Sequence, residues 1–483
     1  MTIVSNKPEP IIYELSSPGR IGATLPECDV PITELPNYLI RGDLKLPEVS
    51  EVDVTRHFTR LSQKNYCVDL GIYPLGSCTM KYNPKINEEA VKLPGFTEVH
   101  QYQSADDAQG ALQLMYELQQ YLAEISGLPG VTLQPAAGAQ GELTGVLVIR
   151  AYHLARGDAK RTQVLVPDSA HGTNPATSSM SGYQVVQIKS DARGNVDLDD
   201  LRKHADAETV GLMLTNPNTL GLFEEHVQEV CQIVHDAGGL VYGDGANLNA
   251  IVGVARPGDL GFDVLHINLH KTFSVPHGGG GPGAGPVMVR KDLAQFLPGP
   301  IVVKKGKRYD FAMPRKSVGR VKSFYGNFLA LVRAYVYIRS IGREHLRQIA
   351  EDSVINANYL LARLKGTYSA PYGDRLCKHE FVLTGTPFEK YGVHTLDIAK
   401  RIQDYGFHPP TVYFPLTVPE CLMIEPTETQ SKESLDEFAD ALIAIAKEAE
   451  TNPQVLHDAP HDAPVTRLDN VKAAREPVLR YKV

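Results

Sequence analysis

HINLHKTFSVPHGGGGPG, residues 266–283, is the stretch that most restricts the fold of this chain. In it a short apolar run ends just before Lys271, and a turn rich in glycine follows. Upstream, residues 243–246 read GDGA and place Asp244 directly after the apolar run LVY. In open α/β sheets, ligands collect at the carboxyl ends of the strands. The two segments therefore predict a lysine amine and a carboxylate at strand ends that face one cleft.

An amine and a carboxylate in this arrangement match the needs of pyridoxal phosphate. This cofactor requires an amine that holds it as a Schiff base, an anion beside its pyridine nitrogen and backbone donors for its phosphate. We interpret Lys271 as the amine, because burial lowers the pKa of a lysine from about 10.4 and makes the neutral nucleophile available. We interpret Asp244 as the partner of the ring nitrogen. A surface lysine and a turn aspartate are the alternatives, and the pairing favours the cofactor.

Three further loops are expected to reach the same cleft. The loop AAGAQGE, residues 136–142, opens a helical pattern, and the free amides of a helix N-terminus bind phosphate. His171 follows the strand-like run VLV and is expected to stack on the cofactor ring. Thr215 and Asn216 follow another strand and are expected to bind its phenolic oxygen. A plain strand-to-helix turn and ordinary structural side chains remain the alternatives.

Two other patterns do not indicate sites. Residues 278–283 satisfy GxGxxG, but Pro282 interrupts them and a strand-like segment follows, which argues against a dinucleotide site. His266 and His270 have the spacing of zinc ligands on a helix, but their segment has the pattern of a strand and no third ligand is evident. We therefore expect no metal.

Composition restricts the class of protein. The chain has 483 residues, 43% of them hydrophobic and 22% charged, which predicts two packed domains. A net charge of −8 with acidic and basic residues interspersed argues against nucleic-acid binding. The six cysteines form no CxxC pair, and neither a targeting signal nor a membrane-length apolar run is evident. We expect a cytoplasmic protein that does not bind membranes.

The pattern along the chain divides it into three parts. Residues 1–60 are rich in proline and predict an arm that lies on a partner chain. Residues 61–330 predict the large cofactor-binding domain, with a mostly parallel sheet, and residues 331–483 predict a smaller C-terminal α/β domain with a tail. The strands expected in the large domain are Val164–Val166, Leu212–Thr215, Leu240–Tyr242, Leu265–Asn268 and Val287–Val289.

Long motifs spread over nearly the whole chain carry a family resemblance. They include ELSSPGRIGATLP near the start, YPLGSCTMKYNP at 73–84, QPAAGAQGE at 134–142 and FHPPTVYFPLTVPECLMIEPTET at 407–429, beside DSAHGTNPA, GRVKSFYGNF, HEFVLTG and the lysine motif. Together they resemble the glycine-cleavage P-protein family, glycine dehydrogenase (decarboxylating), in the form of subunit 2 of the two-subunit type.

The resemblance implies a fold and a set of site residues. The fold is that of the fold-type-I pyridoxal phosphate enzymes, an α/β large domain around a seven-stranded sheet with a smaller C-terminal α/β domain. Lys271 would form the Schiff base, Asp244 would pair with the ring nitrogen and His171 would stack on the ring. The remaining cofactor contacts expected are Ala137, Gly138, Ala139, Gln140, Thr215, Asn216, Ala246, His270 and Thr272.

The resemblance also implies a reaction and partners. Glycine would lose its carboxylate as carbon dioxide, and its aminomethyl group would pass to the lipoyl arm of H-protein, whose disulfide is reduced. The partners would be P-protein subunit 1, in a heterotetramer of two copies of each subunit, and lipoylated H-protein. Arg320 and residues 74–81 are candidate contributors to the cleft, and a backbone nest or the other subunit is an equal candidate for binding the glycine carboxylate. The alternatives are another fold-type-I decarboxylase, a cysteine desulfurase, or a scaffold subunit without catalysis.

Overall fold

The computed structural model describes residues 7–42, 44–277 and 283–480. Its strands are β1 (Gly130–Thr132), β2 (Gln163–Pro167), β3 (Gln184–Ile188), β4 (Thr209–Thr215), β5 (Leu240–Gly245), β6 (Val264–Ile267), β7 (Val287–Val289), β8 (Ile301–Lys305), β9 (Arg308–Ala312), β10 (Phe381–Thr384), β11 (Thr411–Val412) and β12 (Cys421–Ile424). Its α-helices are α1 (Glu51–Gln63), α2 (Lys85–Val91), α3 (Pro94–Thr97), α4 (Gln109–Ser126), α5 (Gly138–Ala155), α6 (Thr173–Met180), α7 (Leu198–His204), α8 (Val227–Asp236), α9 (Phe328–Leu364), α10 (Thr395–Asp404), α11 (Lys432–Thr451), α12 (Gln454–His457) and α13 (Asn470–Arg475).

A seven-stranded sheet in the order β1-β7-β6-β5-β4-β2-β3 forms the centre of the large domain. β7 runs antiparallel to both of its neighbours, and the other pairs of neighbouring strands are parallel. The register pairs Thr215 with Asp244 and Asp244 with His266. Three polar side chains therefore lie in one row across β4, β5 and β6, where these strands end.

Helices cover both faces of this sheet. Successive side chains along each strand point to opposite faces and therefore pack in different cores. Met213 and Tyr242 lie in a core with Val146 and Ile149 of α5. Their chain neighbours, such as Leu212 and Val241, lie in a second core with side chains of α7 and α8. Burial on both faces explains why the parallel strands read as continuous apolar runs.

The long helix α9 connects the large domain to the C-terminal domain. It is interrupted at Gly342, which has φ 73° and ψ 166°. Side chains from Ala330 to Ala350 pack in the core of the large domain, and those from Ala357 onward join a second core with β10, β12 and α11. Neither α9 nor any other helix within the described ranges is long and apolar enough to cross a membrane.

The C-terminal domain contains a smaller antiparallel sheet in the order β10-β12-β11. A segment before α2 extends this sheet, because Leu75 forms a bridge with Ile424 of β12. The same segment places Ser77 and Thr79 between the two domains, beside the cleft described below.

The arm before α1 has little regular structure and exposes large apolar side chains. Leu25, Ile32 and Tyr38 are 83%, 80% and 85% exposed, and other apolar residues between Ile21 and Leu46 are also exposed. Many large apolar side chains exposed within one segment are typical of a segment that binds a partner.

The packing of α5 on the sheet gives a test of the fold. A Cβ atom at Gly145 would lie 2.3 Å from the ring of Tyr242, so Gly145→Ala is expected to destabilise the protein by about 1–3 kcal/mol through overpacking. At Gly110 in α4 a Cβ atom meets nothing within 4 Å, and Gly110→Ala is expected to stabilise by up to about 1 kcal/mol. Urea unfolding followed by circular dichroism measures both. Equal effects would contradict this packing.

Candidate active site

A cleft of about 170 Å³ lies at the carboxyl ends of β4, β5 and β6. This volume is roughly ten times what one water molecule requires. Of the residues expected in the site, the cleft is lined by Gly138, Ala139, His171, Thr215, Asp244, Ala246 and Lys271. Ser77, from the candidate segment 74–81, and Glu142, from the loop 136–142, also line it. Further lining residues that the sequence did not indicate are Thr173, Pro217, Asn218, Thr219, Asn247, His266, Asn268, His379 and Glu380.

Asp244 is buried and firmly held at the end of β5. Its Oδ2 accepts a hydrogen bond from Asn174 Nδ2 at 3.0 Å, and its Oδ1 accepts one from the backbone amide of Ala246 at 3.1 Å. Burial raises the pKa of this carboxyl group, but the neighbouring His266 and the two hydrogen bonds outweigh burial, so the net shift is downward. Asp244 is therefore an anion that faces the cleft.

His266 supports Asp244 from the next strand. Its Nδ1 lies 2.5 Å from the hydroxyl of Tyr242, and its Nε2 lies 3.6 Å from Asp244 Oδ1. Burial lowers the pKa of His266 and raises that of Tyr242, so both side chains are neutral. The Tyr242 hydroxyl and His266 Nδ1 share a hydrogen bond, and His266 Nε2 has no hydrogen-bond partner among the described residues.

Lys271 enters the cleft from the turn that follows β6. Its backbone amide donates to Asn268 O at 3.1 Å, and the next carbonyl group, that of Thr272, accepts from Lys81 Nζ at 2.7 Å. Among the described residues, no acceptor lies within hydrogen-bonding distance of the Lys271 amine. The amine is thus held near Asp244 by its backbone and remains available to a ligand.

The N-terminus of α5 provides unpaired amides beside the cleft. The preceding residue, Ala137, is extended and has no capping side chain, so the first amides of the helix have no acceptor from such a cap. A Cβ atom at Gly138 would lie 2.9 Å from Asn268 Oδ1, which explains the glycine. This terminus therefore suits a phosphate group.

His171 lies across the cleft entrance, at the start of α6. Its Nδ1 is 3.0 Å from Thr173 Oγ1, and its ring packs edge-on against Phe414 at 5.5 Å between centroids. Burial lowers the pKa of His171, so the ring is neutral and suited to stacking on an aromatic ligand.

Glu142 is a second acid in the cleft, one turn into α5. Its carboxyl group accepts hydrogen bonds from Thr173 Oγ1 at 2.7 Å and from Thr177 Oγ1 at 3.3 Å. Burial, followed by the charge of Asp244, raises its pKa to about 7. Asp244 and Glu142 thus differ in pKa although both are carboxyl groups in one cleft: at neutral pH Asp244 is ionised and Glu142 is about half protonated.

These residues fit pyridoxal phosphate. Lys271 offers the amine, Asp244 an anion for the ring nitrogen and α5 the phosphate donors. Thr215 Oγ1 and Asn268 Oδ1, which belong to residues that line the cleft, are buried and have no hydrogen-bond partner within the described part of the chain. Buried polar groups normally have partners, so these atoms are consistent with a polar ligand.

Five of the expected contacts do not line the cleft. Each makes other interactions: Gln140 bonds to Ala136 and Val321, Asn216 accepts from the Glu224 amide, His270 accepts from the Ala284 amide, Thr272 accepts from the Leu248 amide, and Ala137 caps α5 through its backbone. Arg320, a candidate contributor to the cleft, is exposed and lies over Tyr325. Residues 278–282 of the GxGxxG pattern lie outside the described residues.

The location of two of these further residues in the cleft could have been predicted from the sequence. His266 and Asn268 belong to the same strand end as Lys271, so their position already indicated the cleft. His379 and Glu380 lie just before β10 in HEFVLTG, a motif whose position gave no reason to place it near Lys271. Only the packing of the C-terminal domain brings this pair to the cleft.

Two family models match the chain. The model described as glycine cleavage system P-protein matches residues 30–312, and the one described as glycine dehydrogenase, C-terminal domain, matches residues 349–463. Proteins named probable glycine dehydrogenase (decarboxylating) subunit 2 from Halalkalibacterium halodurans and Caldanaerobacter subterraneus subsp. tengcongensis are each 59% identical. The first alignment covers 99% of both chains and the second 98% of both.

Solved structures share the fold. A crystal structure of glycine decarboxylase (P-protein) of the glycine cleavage system, in inhibitor-bound form, has a TM-score of 0.72 at 22% identity and covers 85% of this chain and 93% of that one. A cysteine desulfurase from Thermococcus onnurineus NA1 has a TM-score of 0.61 at 18% identity, with coverages of 79% and 97%. The predicted fold class, fold-type-I with a mostly parallel seven-stranded sheet, is confirmed.

The raised pKa of Glu142 gives a pH-dependent test on the cofactor-free protein. Between pH 4.5, its ordinary pKa, and about 7, the folded protein holds a proton that the unfolded chain has released. The free energy of unfolding therefore falls as the pH rises through this window. Glu142→Gln removes the penalty and should gain up to about 3 kcal/mol relative to the wild type at pH 8, and nothing below pH 4.5.

Urea unfolding across this pH range measures the difference, and the exposed Glu389→Gln is the control. A gain of equal size at every pH would contradict the assignment of the proton to Glu142.

Proposed function

The chain belongs to the glycine cleavage system P-protein family, and from this premise we propose that it binds pyridoxal phosphate in the cleft around Lys271 and decarboxylates glycine. The observation that carries this proposal is the joint placement of Lys271, Asp244 and the N-terminus of α5 around one cleft. An amine, an anion and phosphate donors are the three groups that the cofactor requires. Carbon dioxide is the product released.

Bound pyridoxal phosphate supplies an electron sink for the negative charge left at the glycine α-carbon after the carboxylate leaves. Asp244 supports this chemistry because its lowered pKa keeps it ionised, and an ionised Asp244 keeps a proton on the ring nitrogen. His266, neutral and hydrogen-bonded to Tyr242, lies next to Asp244, with 3.6 Å between its Nε2 and Asp244 Oδ1. His171 would stack on the cofactor ring, and the uncapped amides at the N-terminus of α5 would hold its phosphate.

Lys271 is the residue that would hold the cofactor, with its amine as the nucleophile. Its backbone is fixed by the bond to Asn268 and by Lys81, which binds the neighbouring carbonyl of Thr272. Lys81 is itself paired with Glu428 at 2.6 Å and is buried, so the turn that carries Lys271 is attached to the C-terminal domain.

The acceptor in this proposal is the lipoyl disulfide of lipoylated H-protein. The aminomethyl group forms a carbon–sulfur bond with one lipoyl sulfur, the S–S bond breaks and the other sulfur becomes a thiol. Glycine is thereby oxidised and the disulfide reduced, so no further oxidant is needed. Membership of the family supports this acceptor.

Cysteine desulfurases share the fold, and desulfuration would require a reactive thiolate near the cleft. Cys377 and Cys421 are buried, and burial raises the pKa of each to about 12. Cys78 lies closer to the cleft, and burial raises its pKa as well. Thiols in such surroundings are poor nucleophiles. These properties favour glycine decarboxylation over desulfuration, and Lys271 in the cleft argues against a scaffold without catalysis.

In this proposal the arm binds a partner chain. The partner is P-protein subunit 1, in a heterotetramer of two copies of each subunit. The exposed apolar side chains of the arm, such as Leu25, Ile32 and Tyr38, are those that a partner would cover. Relatives that match the whole chain are named subunit 2.

Replacement of Lys271 tests the cofactor site. Lys271→Ala should abolish turnover of glycine with lipoylated H-protein and remove the borohydride-reduced cofactor adduct from the peptide that contains residue 271, because no other amine is placed to replace it. The exposed Lys291→Ala should retain both. Mass spectrometry of the reduced, digested protein locates the adduct. An adduct on another lysine of the wild type would contradict the proposal.

Charged substitutions test the arm. Ile32→Asp with Tyr38→Asp should reduce the native mass of the co-expressed proteins from that of a heterotetramer toward separate subunits, because burial of two charges in an apolar interface is costly. Leu376→Asp, at a side chain that is 80% exposed outside the arm, is the matched control. Sedimentation velocity measures the masses. An unchanged heterotetramer in the double variant would exclude the arm as the interface.

A further inference from the structure

His379 and Glu380 form a second polar wall of the cleft, on the side of the C-terminal domain. His379 is 2% exposed, and neither of its ring nitrogens has a hydrogen-bond partner among the described residues. Its Nε2 lies 3.8 Å from Glu380 Oε1, which is too far for a hydrogen bond. A buried imidazole that lines a cleft with both nitrogens unpaired is positioned for a ligand.

Two backbone amides in an unusual conformation hold the acidic part of this wall. The amide of Ser77 donates to Glu380 Oε2 at 2.7 Å, and the amide of Thr79 donates to Glu425 Oε2 at 2.9 Å. Ser77 and Thr79 have φ angles of 65° and 52°, which residues other than glycine rarely adopt. Such strain persists where the surroundings enforce it and is typical of functional sites.

Glu425 and Glu380 differ in the number of hydrogen bonds that would stabilise a negative charge on their carboxyl groups. Glu425 also accepts from the hydroxyl of Thr79 and from Asn247 Nδ2. Among the described residues, Glu380 accepts from the Ser77 amide alone. Burial raises the pKa of both glutamates, and for Glu380 burial together with the charge of Glu425 raises it well above the ordinary value. Glu380 is therefore the neutral member of the pair. Burial, and then the charge of Lys271, lowers the pKa of His379 to about 3, so this ring is neutral too.

We propose that His379 and Glu380 bind the carboxylate of glycine through neutral hydrogen-bond donors, and that this neutrality favours its loss as carbon dioxide. The inference rests on the proposed function and adds the substrate subsite to it. Among the described residues that line the cleft, Lys271 is the only lysine or arginine. An arginine would stabilise the carboxylate anion in the bound substrate and raise the barrier to its departure. Neutral donors orient the group and leave its charge uncompensated.

A metal ion is the main competing occupant of this wall. Ligand atoms of His379, Glu380 and Glu425 lie within 4.8 Å of one another. However, three hydrogen bonds from Thr79 and Asn247 already satisfy the Glu425 carboxylate. The charge of Lys271 also acts on all three groups. The geometry therefore favours an anionic ligand held by neutral donors.

Comparison of glycine with methylamine, which lacks the carboxylate, isolates this subsite. Binding of each to the holoenzyme is followed by the visible spectrum of the cofactor, without a lipoyl acceptor and with a chelator present. His379→Phe should weaken glycine binding about tenfold or more, the cost of losing a hydrogen bond to a charged group, and should leave methylamine binding unchanged. His379→Gln keeps a neutral donor and should retain most of the glycine affinity. His345→Phe, at an exposed histidine, is the control.

The pH dependence provides a second test, which does not require the Phe variant to fold. As the pH rises, Glu380 ionises and should repel the glycine carboxylate, so the ratio of glycine to methylamine affinity should fall. Glu380→Gln should remove this fall, whereas the exposed Glu389→Gln should retain it. The titratable groups that act on Glu380 and His379 are Glu425, Lys271, Cys78, Cys377 and Cys421.

Each outcome is decisive. Equal weakening of both ligands by His379→Phe, an unchanged pH profile in Glu380→Gln, or loss of glycine binding on chelation would overturn the subsite. Failure of the proposed function is separate, because it would remove the cofactor adduct from Lys271 in the wild-type protein.

Discussion

The structure of the site depends on one buried negative charge, that of Asp244. A carboxylate at this depth is costly unless hydrogen bonds support it, and here Asn174, the Ala246 amide and His266 surround it. Each supporting group comes from a different element. The sheet register, the turn after β5 and the start of α6 must all form before Asp244 is held as an anion.

The same register connects the packing of the fold to its chemistry. Tyr242 fills the core between β5 and α5, where Gly145 leaves room for its ring, and its hydroxyl meets His266. A change in how α5 lies on the sheet would therefore reach Asp244 through Tyr242 and His266. It would also move the phosphate-binding amides at the N-terminus of α5, because these belong to the same helix.

Sequence reasoning identified the parts of the fold and site that follow from local pattern. The five predicted strands correspond to β2, β4, β5, β6 and β7, because strands buried on both faces read as apolar runs. The prediction omitted β3, whose side chains are mostly half-buried or exposed. Adjacent residues at a strand end point in opposite directions, so Thr215 lines the cleft while Asn216 does not. His379 and Glu380 depend on long-range packing, which no local pattern encodes.

The distribution of charge in the cleft depends on how many hydrogen bonds each buried carboxyl group accepts. Asp244 and Glu425 each accept several hydrogen bonds, whereas Glu142 has two hydroxyl donors and Glu380 a single amide. Hydrogen bonds and the neighbouring His266 keep the pKa of Asp244 below its ordinary value, whereas burial raises the pKa of Glu142, Glu425 and Glu380, most strongly that of Glu380. If all four were ionised, the cleft would repel both a phosphate at the N-terminus of α5 and a substrate carboxylate. Because the raised pKa values of Glu142 and Glu380 reduce the negative charge of these carboxyl groups near neutral pH, the cleft can accept two anions around the single lysine among the described residues that line it.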